Sequence, residues 1–118
     1  LISTLFAVPM FAQEISQNPG TSRGILIGAT GEAEAFTANK FPHVRAVVFY
    51  GKSQSVVDDK ADIIVRSREN NDSNILILGA RYLDEESMMS AVTSWLSTPF
   101  SGEEKHIRRL AKIDAIKI

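Results

Sequence analysis

The sequence contains no cysteine, and this absence removes several kinds of chemistry at once. Disulfide bonds, thiolate metal sites and a cysteine nucleophile are all excluded. No apolar run approaches the roughly 20 residues that a helix needs to span a bilayer. Charge of either sign is also not in excess, with Lys+Arg 13, Asp+Glu 14 and a net charge of −1. Composition therefore gives no general electrostatic argument for binding nucleic acid or a membrane surface.

The length of 118 residues predicts one domain, residues 1–118, with a modest hydrophobic core. The opening segment LISTLFAVPMFAQE resembles a signal peptide because an apolar stretch ends in a small residue. No basic segment precedes that stretch, as a secretory signal would require. A cytoplasmic location is therefore expected, with secretion as the minor alternative.

Short apolar runs alternate with helical patterns along the chain. Strands are predicted at 25–28, 45–50 and 74–79, and each is expected to be buried on both faces. Helices are predicted from about Pro9 to residue 17, after the first strand, at 61–69, at 85–98 and after residue 101, with a further short helix at 53–60. This order predicts an α/β fold, a three-layer Rossmann-like sandwich with a parallel β-sheet flanked by helices.

The segment RGILIGATGEAEAFTANK, residues 23–40, combines a strand, a Gly/Ala/Thr turn and the start of a helix. Backbone N–H groups at such a turn favour an anion or a developing oxyanion. Glu32 and Glu34 lie in the same turn, and a carboxylate beside an oxyanion site suits proton transfer at carbon. Alternatively, both glutamates only favour the helix dipole, and Thr30 is only the helix N-cap.

The last predicted helix carries Lys105 and Arg109 four residues apart, so the two side chains share one face. Ile107, Leu110 and Ala111 would form the apolar side of that helix. A basic helix face is usually solvated, and a phosphate clamp is the alternative. The two histidines lack the carboxylate spacing of a metal site, so no metal is expected.

Three segments carry a resemblance to a known family: ILIGATGEAEAFTANK, SRENNDSNILILGAR and TPFSGEEKHIRRLAKI. They resemble, in family order, the signatures of the ribose-5-phosphate isomerase B and galactose-6-phosphate isomerase (LacA/LacB) family. The likeness covers most of residues 11–113. It implies an enzyme that interconverts an aldose and a ketose phosphate, as in the pentose phosphate pathway. It further implies a cis-enediolate intermediate and neither a metal nor an organic cofactor.

The resemblance also implies roles for individual residues. In one branch of the family a cysteine base stands where this chain has Gly28, and in another branch a glutamate further along the loop acts instead. The spacing from Gly28 to Glu34 matches the second branch. The implied site comprises Glu34 and Thr30 as catalytic residues, Gly31, Ala33, Asn70 and Asn71 as substrate-binding residues, and Arg81, Lys105 and Arg109 as phosphate-binding residues.

The sequence departs from the family pattern at three points. The family's opening strand, helix and strand, with an Asp-His-Ala-Gly motif, are not in these residues. Asn70 replaces a histidine associated with opening of the sugar ring, and Lys105 replaces an arginine. The alternative function is therefore a catalytically impaired binding or scaffold subunit of a hetero-oligomer.

Association with a second chain is expected for either function. The family implies a homodimer or larger assembly in which the neighbouring subunit completes the active site. Without the family's first two strands, one edge of the sheet would be open to pairing. The expected partners are thus a phosphorylated sugar and further copies of this chain, with neither nucleic acid nor membrane.

Overall fold

The structure, a computed structural model, describes residues 4–52 and 62–117. Its elements are α1 (Thr4–Gln17), β1 (Gly24–Gly28), α2 (Glu32–Ala38), β2 (Ala46–Phe49), α3 (Ile63–Glu69), β3 (Ile75–Gly79), a 3₁₀ turn (Ala80–Tyr82), α4 (Glu85–Ser97) and α5 (Glu104–Asp114). The helix predicted at 53–60 lies outside the described residues. The alternation of strands and helices confirms the predicted α/β class.

The strands form a parallel sheet in the order β1-β3-β2, so the last strand in sequence is the central one. Gly24 of β1 and Ala46 of β2 both align with Ile75 of β3, which brings the carboxyl ends of the strands to one edge. The four residues 75–78 are at most 2% exposed, as expected for a continuous aliphatic run between two partners.

Helices cover both faces of the sheet, and β3 contributes to both cores because its side chains alternate. Ile75 and Ile77 point toward α1 and α2, where they pack against Val8, Ala12, Ile15, Ala35, Ala38 and Val44. Leu76 and Leu78 point toward α3 and α4, where they pack against Phe49, Ile64, Ala91 and Trp95. The three-layer sandwich predicted from the sequence is therefore confirmed.

Strands β1 and β2 are less buried than predicted, because both lie at the edges of the sheet. In β2 only Phe49 is buried, and in β1 Ile27 is 67% exposed. The neighbouring Ile25 and Leu26 are half-buried. An apolar run alone cannot distinguish an edge strand from a central one, since that difference depends on where later strands pair.

Helix α1 begins earlier than predicted, because Pro9 lies inside the helix and not in its first turn. The ring of Pro9 removes one helical hydrogen bond. Val8, Ala12 and Ile15 recur at helical spacing and are almost completely buried on the sheet. Their burial offsets the lost bond, so tertiary packing sets the start of the helix. No helix in the described residues has both the length and the apolar character to cross a membrane.

A buried guanidinium ties α3 and α4 to the start of β3. Arg68 donates from Nε to the carbonyl of Thr98 at 3.0 Å and from Nη1 to Oδ1 of Asp72 at 2.9 Å. Its guanidinium also lies 5.9 Å from the ring centroid of Trp95, whose indole N–H donates to Oγ of Ser73 at 2.8 Å. This cluster holds the ends of α3 and α4 together at the amino-terminal edge of the sheet, next to the first residue of β3.

We predict that Arg68→Ala destabilises the fold by about 3 kcal/mol, because it leaves the carbonyls of Thr98 and Ser73 without their buried donor and breaks the ion pair with the partly exposed Asp72. Arg66→Ala is the matched control two residues away. The Arg66–Glu69 ion pair is largely exposed, so its loss should cost at most about 1 kcal/mol. Urea unfolding followed by circular dichroism measures both, and equal effects would contradict the structural role of Arg68.

Candidate active site

The turn between β1 and α2 lies at the carboxyl edge of the sheet, where open parallel sheets bind ligands. Gly31 is the residue before α2 and has φ 85°, a left-handed conformation that favours glycine. The Thr30 hydroxyl accepts a 3.4 Å hydrogen bond from the amide of Glu32. The N-cap is therefore Gly31 and not Thr30 as predicted, although the Thr30 hydroxyl still accepts from one amide of the first helical turn.

The turn can approach the sheet closely because side chains are absent at two positions. A Cβ atom on Gly31 would lie 2.9 Å from Cγ2 of Ile77 and 3.0 Å from Cγ1 of Val48. A Cβ atom on Gly79 would lie 2.8 Å from the carbonyl oxygen of Thr30. Both glycines therefore hold the turn directly on the ends of the strands.

The carboxylate of Glu34 lies over the backbone of Gly28, at the last position of β1. A Cβ atom at Gly28 would be 2.6 Å from Oε1 and 2.9 Å from Oε2 of Glu34. The carboxylate thus occupies the space that a side chain at position 28 would fill. Glu34 is half-buried, whereas Glu32 is exposed, so the structure distinguishes two glutamates that the sequence leaves equivalent.

Arg81 joins this edge through the 3₁₀ turn that follows β3. Its amide donates to the carbonyl of Ala29 at 3.0 Å, which fixes the turn after β3 to the turn after β1. Its side chain is exposed. The structure therefore brings Arg81 to the same edge as Thr30, Gly31 and Glu34.

Asn70 and Asn71 lie at the opposite, amino-terminal edge of the sheet. Asn70 is the C-cap of α3, and both residues precede β3. The five residues of β3, at about 3.3 Å each, separate the two edges by roughly 15 Å. One chain therefore does not bring these asparagines to Glu34.

Helix α5, which carries Lys105 and Arg109, also lies along the amino-terminal edge. Its start is held by the amide of Ser101, which donates to the carbonyl of Glu69 at 3.1 Å. Its end is held by Asp114, which pairs with Arg45 at 2.9 Å just before β2. The residues predicted to bind phosphate therefore lie at two separate edges of the sheet. Arg81 is at the carboxyl edge, and Lys105 and Arg109 are at the amino-terminal edge.

The predicted apolar side of α5 is only partly correct. Leu110 is buried, but Ile107 is 50% exposed and Ala111 is exposed too. His106, one turn before Leu110, is the other buried residue of the helix, and its Nε2 lies 3.0 Å from Oε2 of Glu103. Lys105 and Arg109 are both exposed and have no carboxylate closer than 3.8 Å in the part of the chain that the structure describes.

Two tyrosines at the carboxyl edge were not anticipated from the sequence. Tyr50 follows β2 and Tyr82 ends the 3₁₀ turn after β3. With Thr30 and Glu32 they line a cavity of about 460 Å³. The available signal was that Tyr50 is the last residue of the predicted strand 45–50 and Tyr82 lies three residues after the predicted strand 74–79, because ligands bind at that edge of a parallel sheet. No cluster of three or more potential metal-ligating side chains occurs in residues 4–52 and 62–117.

The comparisons with known proteins agree with this architecture. A model of the Ribose/Galactose Isomerase family matches residues 6–113, and the chain belongs to that family. Ribose-5-phosphate isomerase B of Escherichia coli (strain K12) is 34% identical over 94 residues, which cover 80% of this chain and 56% of that protein. Ribose-5-P isomerase B of Listeria innocua is 30% identical over 112 residues, covering 92% and 67%.

Solved structures show the same fold. Type B ribose 5-phosphate isomerase of Trypanosoma brucei superposes with a TM-score of 0.83 at 27% identity, covering 98% of this chain and 71% of that one. Ribose-5-phosphate isomerase B of Mycoplasma genitalium with bound ribulose-5-phosphate gives 0.74 at 27% identity, covering 97% and 71%. The chain spans little more than half the length of several curated relatives that it matches.

We predict that alanine is costly at Gly31 and tolerated at Gly28. Gly31→Ala forces a left-handed residue against buried side chains and should destabilise the fold by about 2 kcal/mol. Gly28→Ala displaces only the end of the flexible Glu34 side chain and should leave stability unchanged or raise it by up to about 1 kcal/mol. Thermal and urea unfolding of the two variants provide the comparison, and similar losses at both positions would contradict this account of the turn.

Proposed function

We propose that this chain is an aldose–ketose isomerase acting on a phosphorylated sugar of the ribose 5-phosphate/ribulose 5-phosphate type, with Glu34 as the base. Membership of the Ribose/Galactose Isomerase family supports the reaction class. The observation that carries the assignment of the base is the position of the Glu34 carboxylate over Gly28. In the cysteine-using branch of the family, the base projects from that same position, so the carboxylate would replace the missing thiol in space.

A single carboxylate is sufficient for this reaction. Isomerisation moves one proton between adjacent carbons through a cis-enediolate, and one base can remove it from the first carbon and return it to the second. Negative charge develops on the two enediolate oxygens and must be held by donors. The amides of Gly31 and Ala33 are the proposed donors, and neither has a backbone acceptor in the described residues. Thr30 is proposed to bind a substrate hydroxyl.

A complete site would require a second copy of the chain. Glu34 and Thr30 lie at one edge of the sheet, while Lys105, Arg109 and the two asparagines lie at the other. A two-fold arrangement of two chains would place the basic helix of one beside the Glu34 turn of its partner. We therefore propose a homodimer or tetramer with shared sites.

The substitution at Asn70 favours one specific alternative. In the family, the histidine at this position is associated with ring opening, and an asparagine amide cannot transfer a proton. Asn70 and Asn71 could still bind sugar hydroxyls. The alternative function is therefore a subunit that binds the sugar phosphate, or supports a catalytic partner in a hetero-oligomer, without efficient turnover. The cytoplasmic location expected from the sequence stays a prediction.

We predict that Glu34→Gln abolishes isomerase activity on ribose 5-phosphate while folding and sugar-phosphate binding remain. The amide keeps the shape of the side chain and loses its basicity, so kcat should fall by about 10²-fold or more. Glu32→Gln is the control for the same chemical change in the same turn and should be mild, because the exposed Glu32 lines the depression beside Thr30 while the three atoms nearest to a Cβ atom on Gly28 all belong to Glu34. Gly28→Ala should lose activity as well, since the added methyl group displaces the carboxylate. Full activity in Glu34→Gln would rule out this base.

We predict that two impaired variants restore activity when they are mixed, if the site is shared between copies and ribose 5-phosphate is kept below the KM of Arg109→Ala. Arg109→Ala should weaken phosphate binding by about 1.5–3 kcal/mol, the range for hydrogen bonds to charged groups. In a mixed dimer of Glu34→Gln and Arg109→Ala, one site carries both changes and the other carries neither. Refolding the two chains together should then recover about a quarter of wild-type activity.

The oligomeric state is measured on the same samples by sedimentation equilibrium at low micromolar concentration. A well-folded monomer with full activity would contradict the shared site. A stable dimer whose mixed form stays inactive would show that Arg109 serves the site of its own chain or none.

A further inference from the structure

We propose that Tyr50 and Tyr82 form the wall that binds the carbon chain of the sugar, and that Tyr82 sets affinity for the sugar and not for its phosphate. This inference rests on the proposed function and deepens it by assigning substrate contacts that neither the sequence signatures nor the predicted site contain. The two rings lie edge to face, with centroids 5.5 Å apart and planes at 81°. We call this pair the tyrosine wall.

The position of the tyrosine wall points to a ligand. Tyr50 follows β2 and Tyr82 follows β3, and these are neighbouring strands whose carboxyl ends meet at the proposed site. The wall forms one side of an open surface depression of about 460 Å³, which Thr30 and Glu32 also line. Aromatic surface with a few polar groups is the usual composition of a small-molecule site.

The tyrosine wall is held in place by backbone geometry. A Cβ atom on Gly79 would lie 3.0 Å from Cδ1 of Tyr50, so this ring packs on the strand where glycine leaves room. The turn that carries Tyr82 is fixed by the hydrogen bond from the Arg81 amide to the Ala29 carbonyl. The rings are therefore positioned, yet Tyr50 is 38% exposed and Tyr82 is 60% exposed. Folding of this chain therefore leaves more than half of Tyr82 exposed.

The chemistry of a sugar phosphate suits this arrangement. Its C–H bonds carry partial positive charge and pack on the negative face of an aromatic ring. Its hydroxyl groups can exchange hydrogen bonds with the phenol groups and with Thr30. Its phosphate requires cations, and the wall offers none. Contacts to the tyrosine wall should therefore contribute to binding of the sugar and contribute nothing to binding of inorganic phosphate.

The test uses two ligands and two variants in the Glu34→Gln background, where turnover does not interfere. Titration calorimetry would measure dissociation constants for ribose 5-phosphate and for inorganic phosphate. Tyr82→Ala should weaken ribose 5-phosphate binding about tenfold and leave phosphate binding unchanged. Arg109→Ala should weaken both ligands. Tyr82→Phe, which retains the ring, should cost only about threefold. Met89→Ala, which removes another exposed apolar side chain outside the cavity, is the control and should change neither constant.

The outcomes separate this inference from the proposed function. Ribose 5-phosphate binding that is unchanged in Tyr82→Ala overturns the tyrosine wall and leaves the isomerase proposal standing. Weakened binding in Tyr82→Ala, together with activity retained in Glu34→Gln, supports the wall and overturns the base. An altered oligomeric state in Tyr82→Ala, with unchanged binding at saturating protein, assigns the ring to a subunit interface and overturns the wall. No binding of ribose 5-phosphate at all overturns both.

Discussion

The burial of β3 between two strands and two helical layers is the constraint on which the rest of the structure depends. Ile75, Ile77, Leu76 and Leu78 are removed from water on both faces, and each contributes about 1.5–3 kcal/mol relative to an exposed side chain. The same strand pairs with β1 on one side and β2 on the other. The register of β3 with β1 and β2 therefore fixes where the neighbouring strands end. It also positions the turns that leave the sheet at the carboxyl edge.

At that edge, the geometry of the proposed site depends on glycines, which have no side chain. Glycine at position 31 lets the turn contact Ile77, and glycine at position 79 lets the same turn contact the end of β3. Glycine at position 28 leaves the space in which the Glu34 carboxylate lies. These glycines let the turn lie close to the ends of the strands. The location of the proposed base therefore follows from how the turn packs on the sheet.

The amino-terminal edge has a different organisation, with charged groups held by the buried Arg68 cluster. Burial lowers the pKa of the nearby Arg23 guanidinium, and the positive charge of Arg68 lowers it further. Arg23 still donates to the carbonyl of Leu96 and lies 5.7 Å from the Trp95 ring centroid. This edge thus supports α4 and positions α5, whose exposed Lys105 and Arg109 face away from the buried side of the helix. The proposed function would therefore depend on association, because within one chain these cations lie at the opposite edge from the Glu34 turn.

Much of the architecture was predictable from local pattern. Aliphatic runs alternating with helical segments determined the α/β class, the parallel sheet and the approximate bounds of most elements, since these depend on periodicity within one segment. The start of α1 was wrong, because burial of Val8 and its neighbours overrides the local signal of Pro9. The exposure of Ile27 was also missed, since strand order depends on contacts between distant segments.

The candidate site likewise depended partly on the sequence and partly on the tertiary structure. The sequence by itself determined which residue types are available: two glutamates in a glycine-rich turn, and basic residues one helical turn apart. Only the tertiary structure decided that Glu34 lies against Gly28 while Glu32 points to solvent, that Tyr50 and Tyr82 meet, and that Lys105 and Arg109 lie at the far edge from the turn. The physical reason is that side-chain direction and edge position arise from packing between segments far apart in the chain, which no local pattern encodes.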